Sequence, residues 1–259
     1  MKRIVIKVGS SVLTNETDIA KERMLNLVAL IADARKKYEV ILVTSGAVAA
    51  GYTAVQLNKS MPTSKKVLAS LGQPILMSSY KNKFDIFNVT ISQILLTEED
   101  FDSRVHTKIV QDIIDRTLKN DILPIVNEND ISTTPDQLFG DNDQLSAHVA
   151  HYTRADLLVI LSDIDGYYDS NPKENPKAKI RKVITEIKDE ELEQSHTPNS
   201  KFATGGIVTK LKAAKYMMNK NREMFLCSGF ELSAAREYLI DGAHNKGTLF
   251  TNKIDGNKV

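Results

Sequence analysis

The chain has few of the residues on which several protein classes depend. Its 259 residues include one cysteine, Cys227, and no tryptophan. A single thiol cannot form a disulfide within the chain or a thiolate metal cluster, which favours a reducing, cytoplasmic setting. Aromatic side chains make up only 6% of the sequence. A surface that stacks nucleic-acid bases is therefore not indicated.

A charge excess and long apolar runs are absent as well. The 34 Lys and Arg residues nearly balance the 33 Asp and Glu residues, which leaves a net charge of +1. No overall field would draw the chain to nucleic acid or to an anionic membrane. No apolar run approaches the roughly 20 residues that span a bilayer, and the start of the chain lacks the features of a signal peptide. We expect a cytoplasmic protein without nucleic-acid or membrane partners.

Two familiar phosphate-binding signatures are missing, the P-loop and the Gly-x-Gly-x-x-Gly dinucleotide motif. Four other glycine-containing turns follow apolar runs or precede helical patterns, at residues 7–11, 44–47, 140–143 and 204–210. Glycine at such a turn lets backbone N–H groups approach a ligand, and a helix N-terminus favours anions. One such turn usually serves only chain geometry. Four of them, two with a lysine, indicate phosphate chemistry.

Short β-branched runs alternate with longer stretches of helical periodicity. The pattern predicts strands at residues 4–8, 40–43, 91–96, 122–126, 157–161, 224–227 and 248–251. It predicts helices at residues 18–37, 65–81, 105–119, 145–151, 207–219 and 232–240, with Pro74 ending or kinking the second. This alternation implies a mostly parallel sheet covered on both faces. Residues 170–200 are a polar stretch, in which 170–179 are predicted to be a loop and 188–200 to be either a mobile lid or a surface helix.

Two polar features stand out from this pattern. Lys7 lies inside an apolar strand, where an unpaired ammonium would be costly to bury. It is either a functional residue or a lysine on an edge strand whose head group reaches solvent. Residues 140–147 supply more carboxylates and amides than one helix cap needs. They are either a cap or part of a ligand site at the carboxyl end of a strand.

Taken together, the motifs resemble the amino acid kinase family. The resemblance rests on residues 6–14, 43–51, 127–130, 139–147 and 204–210, in the family's order. It implies an α/β fold, a three-layer α/β/α sandwich around a largely parallel eight-stranded sheet. Residues 1–259 would form a single domain, with about 1–151 holding the amino acid and about 152–259 the nucleotide. Many bacterial relatives carry a C-terminal PUA domain, which we do not expect in this chain.

Within the family, Asn127-Glu128-Asn129-Asp130 and residues 140–143 are similar to the member that phosphorylates the γ-carboxylate of L-glutamate, the first step of proline biosynthesis. The resemblance implies ATP as co-substrate, Mg²⁺ bridging its phosphates, feedback inhibition by proline, and a homodimer or homotetramer. The alternatives are a family member acting on aspartate, N-acetylglutamate, carbamate or UMP, and a catalytically silent ligand-binding sensor.

The resemblance also implies roles for individual residues. Glutamate would contact Ser45, Asp130 and Asn142. ATP would contact Lys7, Gly9, Ser162, Asp163, Thr204, Gly205, Gly206, Ile207, Val208, Thr209 and Lys210. Without the resemblance, Ser162 and Asp163 could simply begin a turn.

Catalysis would depend on positioning and positive charge. The γ-carboxylate of glutamate has a pKa of about 4.3, so it is already an ionised nucleophile at neutral pH and needs no general base. Lys7 and Lys210 would neutralise the transferring phosphoryl group, and Asp143 would orient the two lysines. The N–H groups of Gly9, Gly205 and Gly206 would add fixed dipoles.

Overall fold

The computed structural model describes residues 1–15, 18–58, 60–133, 142–172, 174–193 and 206–253. Within these residues, eight strands form one sheet. The strands are β1 (Lys2–Val8), β2 (Tyr38–Val43), β3 (Ile91–Leu96), β4 (Leu123–Glu128), β5 (Leu157–Ser162), β6 (Val183–Ile184), β7 (Glu223–Ser228) and β8 (Thr248–Phe250).

The sheet is largely parallel, as the sequence predicts. The strand order is β3-β4-β2-β1-β5-β7-β8-β6, and the pairing of β7 with β8 is antiparallel whereas the other pairings are parallel. Strand β1 lies between β2 and β5, with Lys7 opposite Val43 on one side and Ile160 on the other. The edge-strand interpretation of Lys7 is therefore wrong, because β1 is in the interior of the sheet.

Helices cover both faces of this sheet. They are α1 (Ser10–Leu13), α2 (Lys21–Ala34), α3 (Ala47–Ala54), α4 (Pro62–Phe84), α5 (Arg104–Lys119), α6 (Asn142–Tyr152), α7 (Asp189–Glu193), α8 (Ile207–Asn219) and α9 (Ser233–Arg236). Short 3₁₀ turns at Asp85–Phe87 and Glu98–Phe101 and a π-helical turn at Glu237–Asp241 complete the helical segments in the described residues.

The core divides into two apolar clusters because successive side chains of a strand point to opposite faces. On one face, Ile4 and Ile6 of β1 share a cluster with side chains of α2 and α4. On the other face, Val5 joins a cluster that includes side chains of α5, α6 and α8. These two clusters confirm the three-layer α/β/α sandwich. Cys227 is fully buried in the first cluster, as expected for a structural thiol.

Helix α4 continues through Pro74 to Phe84, so of the two expected effects of Pro74, an end or a kink, the end is wrong. Proline removes one hydrogen bond, but α4 is held against α3 by very close backbone packing. A Cβ built on Gly72 would lie 1.8 Å from the carbonyl oxygen of Ala47. A Cβ built on Gly51 would lie 1.9 Å from the carbonyl oxygen of Leu68. This packing, together with the buried Leu76 beyond the proline, keeps both parts of α4 in place.

Four of the described elements are not among the helices and strands that the periodic pattern predicts, namely helices α1, α3 and α7 and strand β6. Strand β6 pairs with β8, so this part of residues 170–200 belongs to the sheet. Of the residues predicted to be a lid or a surface helix, 189–193 form helix α7, whereas 194–200 lie outside the described residues. Among the helices that the structure describes, none has the length and apolar character needed to cross a membrane.

Candidate active site

Polar side chains gather at the carboxyl ends of the parallel strands β1, β2, β4 and β5. Parallel strands end at the same edge of a sheet, so residues from distant parts of the sequence meet there. Lys7 is the penultimate residue of β1, and Thr44 follows β2 directly. Helices α6 and α8 begin close to this edge and contribute Asp143 and Lys210 from their first turns.

A buried ion cluster lies at the centre of this edge. The Nζ of Lys7 is 2.6 Å from Oδ1 of Asp143, and the Nζ of Lys210 is 3.1 Å from Oδ2. The Thr209 hydroxyl also donates to Oδ2, at 3.1 Å. The side chains of Lys7, Asp143 and Lys210 are 7%, 1% and 5% exposed. All three predicted catalytic residues therefore form one cluster that carries one more positive charge than negative.

The protonation state of the cluster follows from its geometry. Burial would raise the pKa of the Asp143 carboxyl, but the ammonium groups of Lys7 and Lys210 outweigh it and hold that pKa well below its usual range. Asp143 is thus a carboxylate at neutral pH. Both carboxylate oxygens contact lysine, which fits a residue that positions two cations better than one that binds a metal.

Asn142 connects the ion cluster to two neighbouring strands. Its Nδ2 donates to the Thr44 carbonyl oxygen at 2.5 Å and to Oδ1 of Asn127 at 2.8 Å. Asn142 is buried, and both protons of its amide nitrogen are used inside the protein. These cross-strand contacts go beyond what a helix cap alone would make. Residues 139–141 of the same motif lie outside the described residues.

Asp130 lies in the turn that follows β4, next to Lys66 of α4. The Lys66 ammonium donates to the carbonyl oxygens of Ile131 and Thr133, at 2.9 and 2.7 Å. Burial raises the pKa of Asp130 to about 6, although a backbone hydrogen bond and the charge of Lys66 act in the opposite direction. Burial therefore disfavours the ionised form of this carboxyl group, and a cation bound beside it would stabilise that form.

Ser45 lies between β2 and α3, on the same edge of the sheet as Asn142. The next residue, Gly46, has a φ of 103° and precedes the first residue of α3. This left-handed conformation suits glycine, because a side chain would be strained there. The turn places Ser45 directly after Thr44, whose carbonyl oxygen binds Asn142.

Ser162 and Asp163 stand at the carboxyl end of β5, beside β1. The Ser162 hydroxyl donates to the Asp163 carboxylate at 3.0 Å. Asp163 lines a cavity of about 530 Å³ between the ends of β5 and β7 and the turn before β8. Other charged and amide side chains of the lining are Asp165, Lys182, Glu231, Asn245 and Lys246. Sequence reasoning identified only Asp163 among these residues, because the others come from loops without a motif.

The predicted phosphate-binding turns are only partly described. Gly206 precedes α8, whose first turn contains Ile207, Val208, Thr209 and Lys210, whereas Thr204 and Gly205 lie outside the described residues. In the first turn, the Gly9 N–H donates to the Leu161 carbonyl oxygen at 3.1 Å. The Gly9 N–H, which was expected to direct its dipole toward a ligand, is therefore hydrogen-bonded within the protein.

Comparison with known proteins identifies the family of the chain. Residues 2–228 match the Amino acid kinase family. The chain is 48% identical to a "Glutamate 5-kinase" of Leishmania donovani, over 98% of this chain and 97% of the relative. It is 51% identical to a "Glutamate 5-kinase" of Wolinella succinogenes, over 96% of this chain and 98% of the relative. A third relative of the same name, from Helicobacter hepaticus, is 44% identical over 96% of this chain and 94% of its own length.

Solved structures show the same fold at low sequence identity. UMP kinase from Ureaplasma parvum superposes with a TM-score of 0.66 at 19% identity, covering 96% of this chain and 98% of the other. Carbamate kinase from Giardia lamblia bound to AMP-PNP gives a TM-score of 0.65 at 18% identity, covering 97% of this chain and 99% of the other.

The family match over most of the chain and the identity to curated relatives show that the chain is a kinase that belongs to the amino acid kinase family. Within that family, its relatives of 44–51% identity are glutamate 5-kinases.

Proposed function

We propose that the chain transfers the terminal phosphoryl group of ATP to the γ-carboxylate of L-glutamate and so forms L-glutamyl 5-phosphate, the first step of proline biosynthesis. The observation that carries this proposal is the cluster of Lys7, Asp143 and Lys210 at the strand ends. The chain is also closely similar in sequence to relatives named glutamate 5-kinase. A kinase for another acceptor and a silent sensor are less well supported, because the relatives share one name and both lysines are present.

The ion cluster suits a reaction between two anions. A carboxylate must approach the phosphoryl group of ATP, and the transition state carries negative charge on its oxygens. Lys7 comes from β1 and Lys210 from α8, so the two ammonium groups would reach that charge from two directions. Asp143 holds both lysines in place before the substrates bind, which reduces the reorganisation needed during the reaction. It would act as a positioning residue because its negative charge repels phosphate.

The amino acid would lie in the portion formed by about residues 1–151. Asn142 and Ser45 face the same strand ends, and Asp130 follows β4 nearby. Burial raises the pKa of Asp130 to about 6. The α-ammonium of glutamate is a cation that would stabilise the ionised carboxylate. Proline carries the same α-ammonium and α-carboxylate groups, so feedback inhibition through competition in this pocket is part of the proposal. A homodimer or homotetramer and a cytoplasmic location also remain predictions.

The nucleotide would lie in the portion formed by about residues 152–259. The cavity beside Asp163 has the size of a small-molecule site, and its carboxylates could accept hydrogen bonds from ribose hydroxyls. From there the phosphates would extend across the end of β5 toward Lys7 and Lys210. In the described residues, no group of three His, Cys, Asp or Glu side chains could hold a metal ion. Mg²⁺ would enter with ATP, bound by phosphate oxygens and water.

The proposal is tested by measuring ADP release with MgATP in the presence and absence of L-glutamate, with hydroxylamine present to trap acyl phosphate. Glutamate-dependent ADP and an equal amount of hydroxamate are expected. ADP release with aspartate, N-acetylglutamate, carbamate or UMP in place of glutamate would assign another acceptor. Binding of ATP without any turnover would identify a sensor.

A further inference from the structure

A chain of four amide side chains, joined by three hydrogen bonds, runs from the outer strand β3 to the candidate glutamate site. The Nε2 of Gln73 donates to Oε1 of Gln93 at 2.9 Å, and the Nδ2 of Asn127 donates to Oε1 of Gln73 at 2.8 Å. The Nδ2 of Asn142 then donates to Oδ1 of Asn127 at 2.8 Å. Gln73 on α4 thus connects to Asn142 through one intervening side chain.

Backbone groups fix the direction of this chain. The N–H of Glu128 donates to Oδ1 of Asn127 at 2.9 Å, and a backbone N–H can only donate. The carbonyl oxygen of Thr44 accepts from Nδ2 of Asn142, and a carbonyl can only accept. Rotating the side-chain amide of Asn127 or Asn142 by half a turn would therefore place two acceptor oxygens, or two donor N–H groups, next to each other. The amide orientations of Asn127 and Asn142 follow from the fold itself.

This direction determines what Asn142 can offer to a ligand. Both protons of its nitrogen are used by Thr44 and Asn127, so a ligand can contact only the side-chain oxygen, which accepts. An acceptor suits the α-ammonium group of an amino acid and does not suit a carboxylate. Asp130, three residues after Asn127 along the chain, is an acceptor that suits the same group.

We propose that Gln73 is a positioning residue for amino-acid binding, because it holds Asn127, and through it Asn142, with the Asn142 oxygen available to an α-ammonium. The inference rests on the proposed function, since it assumes that glutamate contacts Asn142. Gln73 is half-buried and its oxygen is the acceptor for Asn127, whereas Asn127 is buried and cannot turn to water. Loss of that acceptor leaves a buried amide N–H without its partner and frees the amide to move.

Three variants test this role. Gln73→Met keeps the length of the side chain and removes the acceptor. Gln73→Glu keeps an acceptor oxygen toward Asn127. Gln93→Ala removes the outer link, where water can take over because Gln93 is exposed. Glutamate-dependent ADP formation gives kcat and both KM values for each variant, calorimetry gives the glutamate Kd without ATP, and thermal melting confirms folding.

We expect Gln73→Met to raise the glutamate KM and Kd about tenfold, with kcat and the ATP KM within about twofold of the wild type. Gln73→Glu should restore most of the affinity, and Gln93→Ala should change it by less than about twofold. An unchanged glutamate KM and Kd in Gln73→Met would overturn the inference. Equal losses in Gln73→Met and Gln93→Ala would also overturn it, because they would assign the effect to contact between α4 and β3. Failure of the wild type to bind or use glutamate would instead refute the proposed function.

Discussion

Lys7 and Lys210 bind different oxygens of one carboxylate, although one belongs to the first strand of the sheet and the other to a helix near the end of the chain. The distances to Oδ1 and Oδ2 of Asp143 are 2.6 and 3.1 Å. The two ammonium groups are therefore held at a fixed separation by the geometry of the carboxylate between them. This relationship gives the first two predictions.

Replacing either lysine by methionine should lower kcat at least about 100-fold, which corresponds to about 2.7 kcal/mol of transition-state stabilisation. Methionine fills the space of the lysine stem but supplies no charge to the transferring phosphoryl group. Steady-state rates of Lys7→Met and Lys210→Met are compared with those of Lys36→Met, whose side chain is 75% exposed. Near-normal turnover in a folded Lys7→Met or Lys210→Met variant would remove that lysine from the mechanism.

Asp143→Asn should destabilise the protein by about 3–5 kcal/mol at neutral pH, because two buried ammonium groups lose their counterion. The pKa of Asp143 in the folded protein lies below its usual value. The stabilisation is therefore fully present above about pH 5 and decreases as the pH falls below about 4. Urea unfolding of both proteins across this range measures the difference. A difference that grows toward low pH would contradict this sign.

The glutamate KM should rise as the pH falls below about 6, by up to about tenfold per pH unit. The pKa of Asp130 is raised to about 6 by burial, so its carboxyl is neutral below that pH in the empty site. A neutral carboxyl cannot pair with the α-ammonium of glutamate, and binding must first remove its proton. Asp130→Asn should have a higher KM at neutral pH and a flat profile between pH 5 and 8. A wild-type KM that does not change over this range would exclude the role of Asp130.

Asp163→Asn should raise the ATP KM about tenfold and leave the glutamate KM within about twofold, because a charged acceptor is lost from the cavity proposed to bind the nucleotide. The matched control is Glu186→Gln, which changes an exposed carboxylate outside the cavity lining. Initial rates are measured with each substrate varied in turn. Equal effects on both KM values would show that the cavity does not belong to the nucleotide alone.

Gly72→Ala should destabilise the protein by about 1–3 kcal/mol, despite the higher helix propensity of alanine. The new Cβ would lie 1.8 Å from the Ala47 carbonyl oxygen, so α3 and α4 must separate. Chemical unfolding of Gly72→Ala is compared with that of Ser70→Ala, an exposed position on the same helix. Equal stability of the two variants would mean that the helices can move apart at little cost.

Much of the sheet could be predicted because its strands are short apolar runs between polar turns. Seven of the eight described strands were located in this way. The exception, β6, has two residues within a polar stretch, and it exists because it pairs with the distant β8. Helix α3 has the sequence AVAAGYTA, whose small side chains give no amphipathic period. Its position depends on the glycine contact with α4, which sequence periodicity does not show.

The candidate site was predictable where a residue conflicted with its local pattern. Lys7 interrupts an apolar strand, and Asp143 belongs to a segment with too many polar groups for one cap. The resemblance to the kinase family supplied the link between Lys7, Asp143 and Lys210. Gln73 gave no such signal, because a glutamine on a helix is ordinary in sequence. Its contact with Asn127 depends on how α4 lies over β4.

The strand order divides the sheet into two blocks that follow the order of the chain. Strands β1 to β4 occupy one side, and strands β5 to β8 occupy the other. The blocks meet where β1 runs beside β5, from Ile4 opposite Leu157 to Val8 opposite Leu161. The portion proposed to bind the phosphoryl acceptor is thus continuous in sequence, and so is the portion proposed to bind the phosphoryl donor. The ion cluster belongs to neither block alone, because Lys7 and Asp143 come from the first portion and Lys210 from the second, so the catalytic charges are assembled only where the two portions pack together.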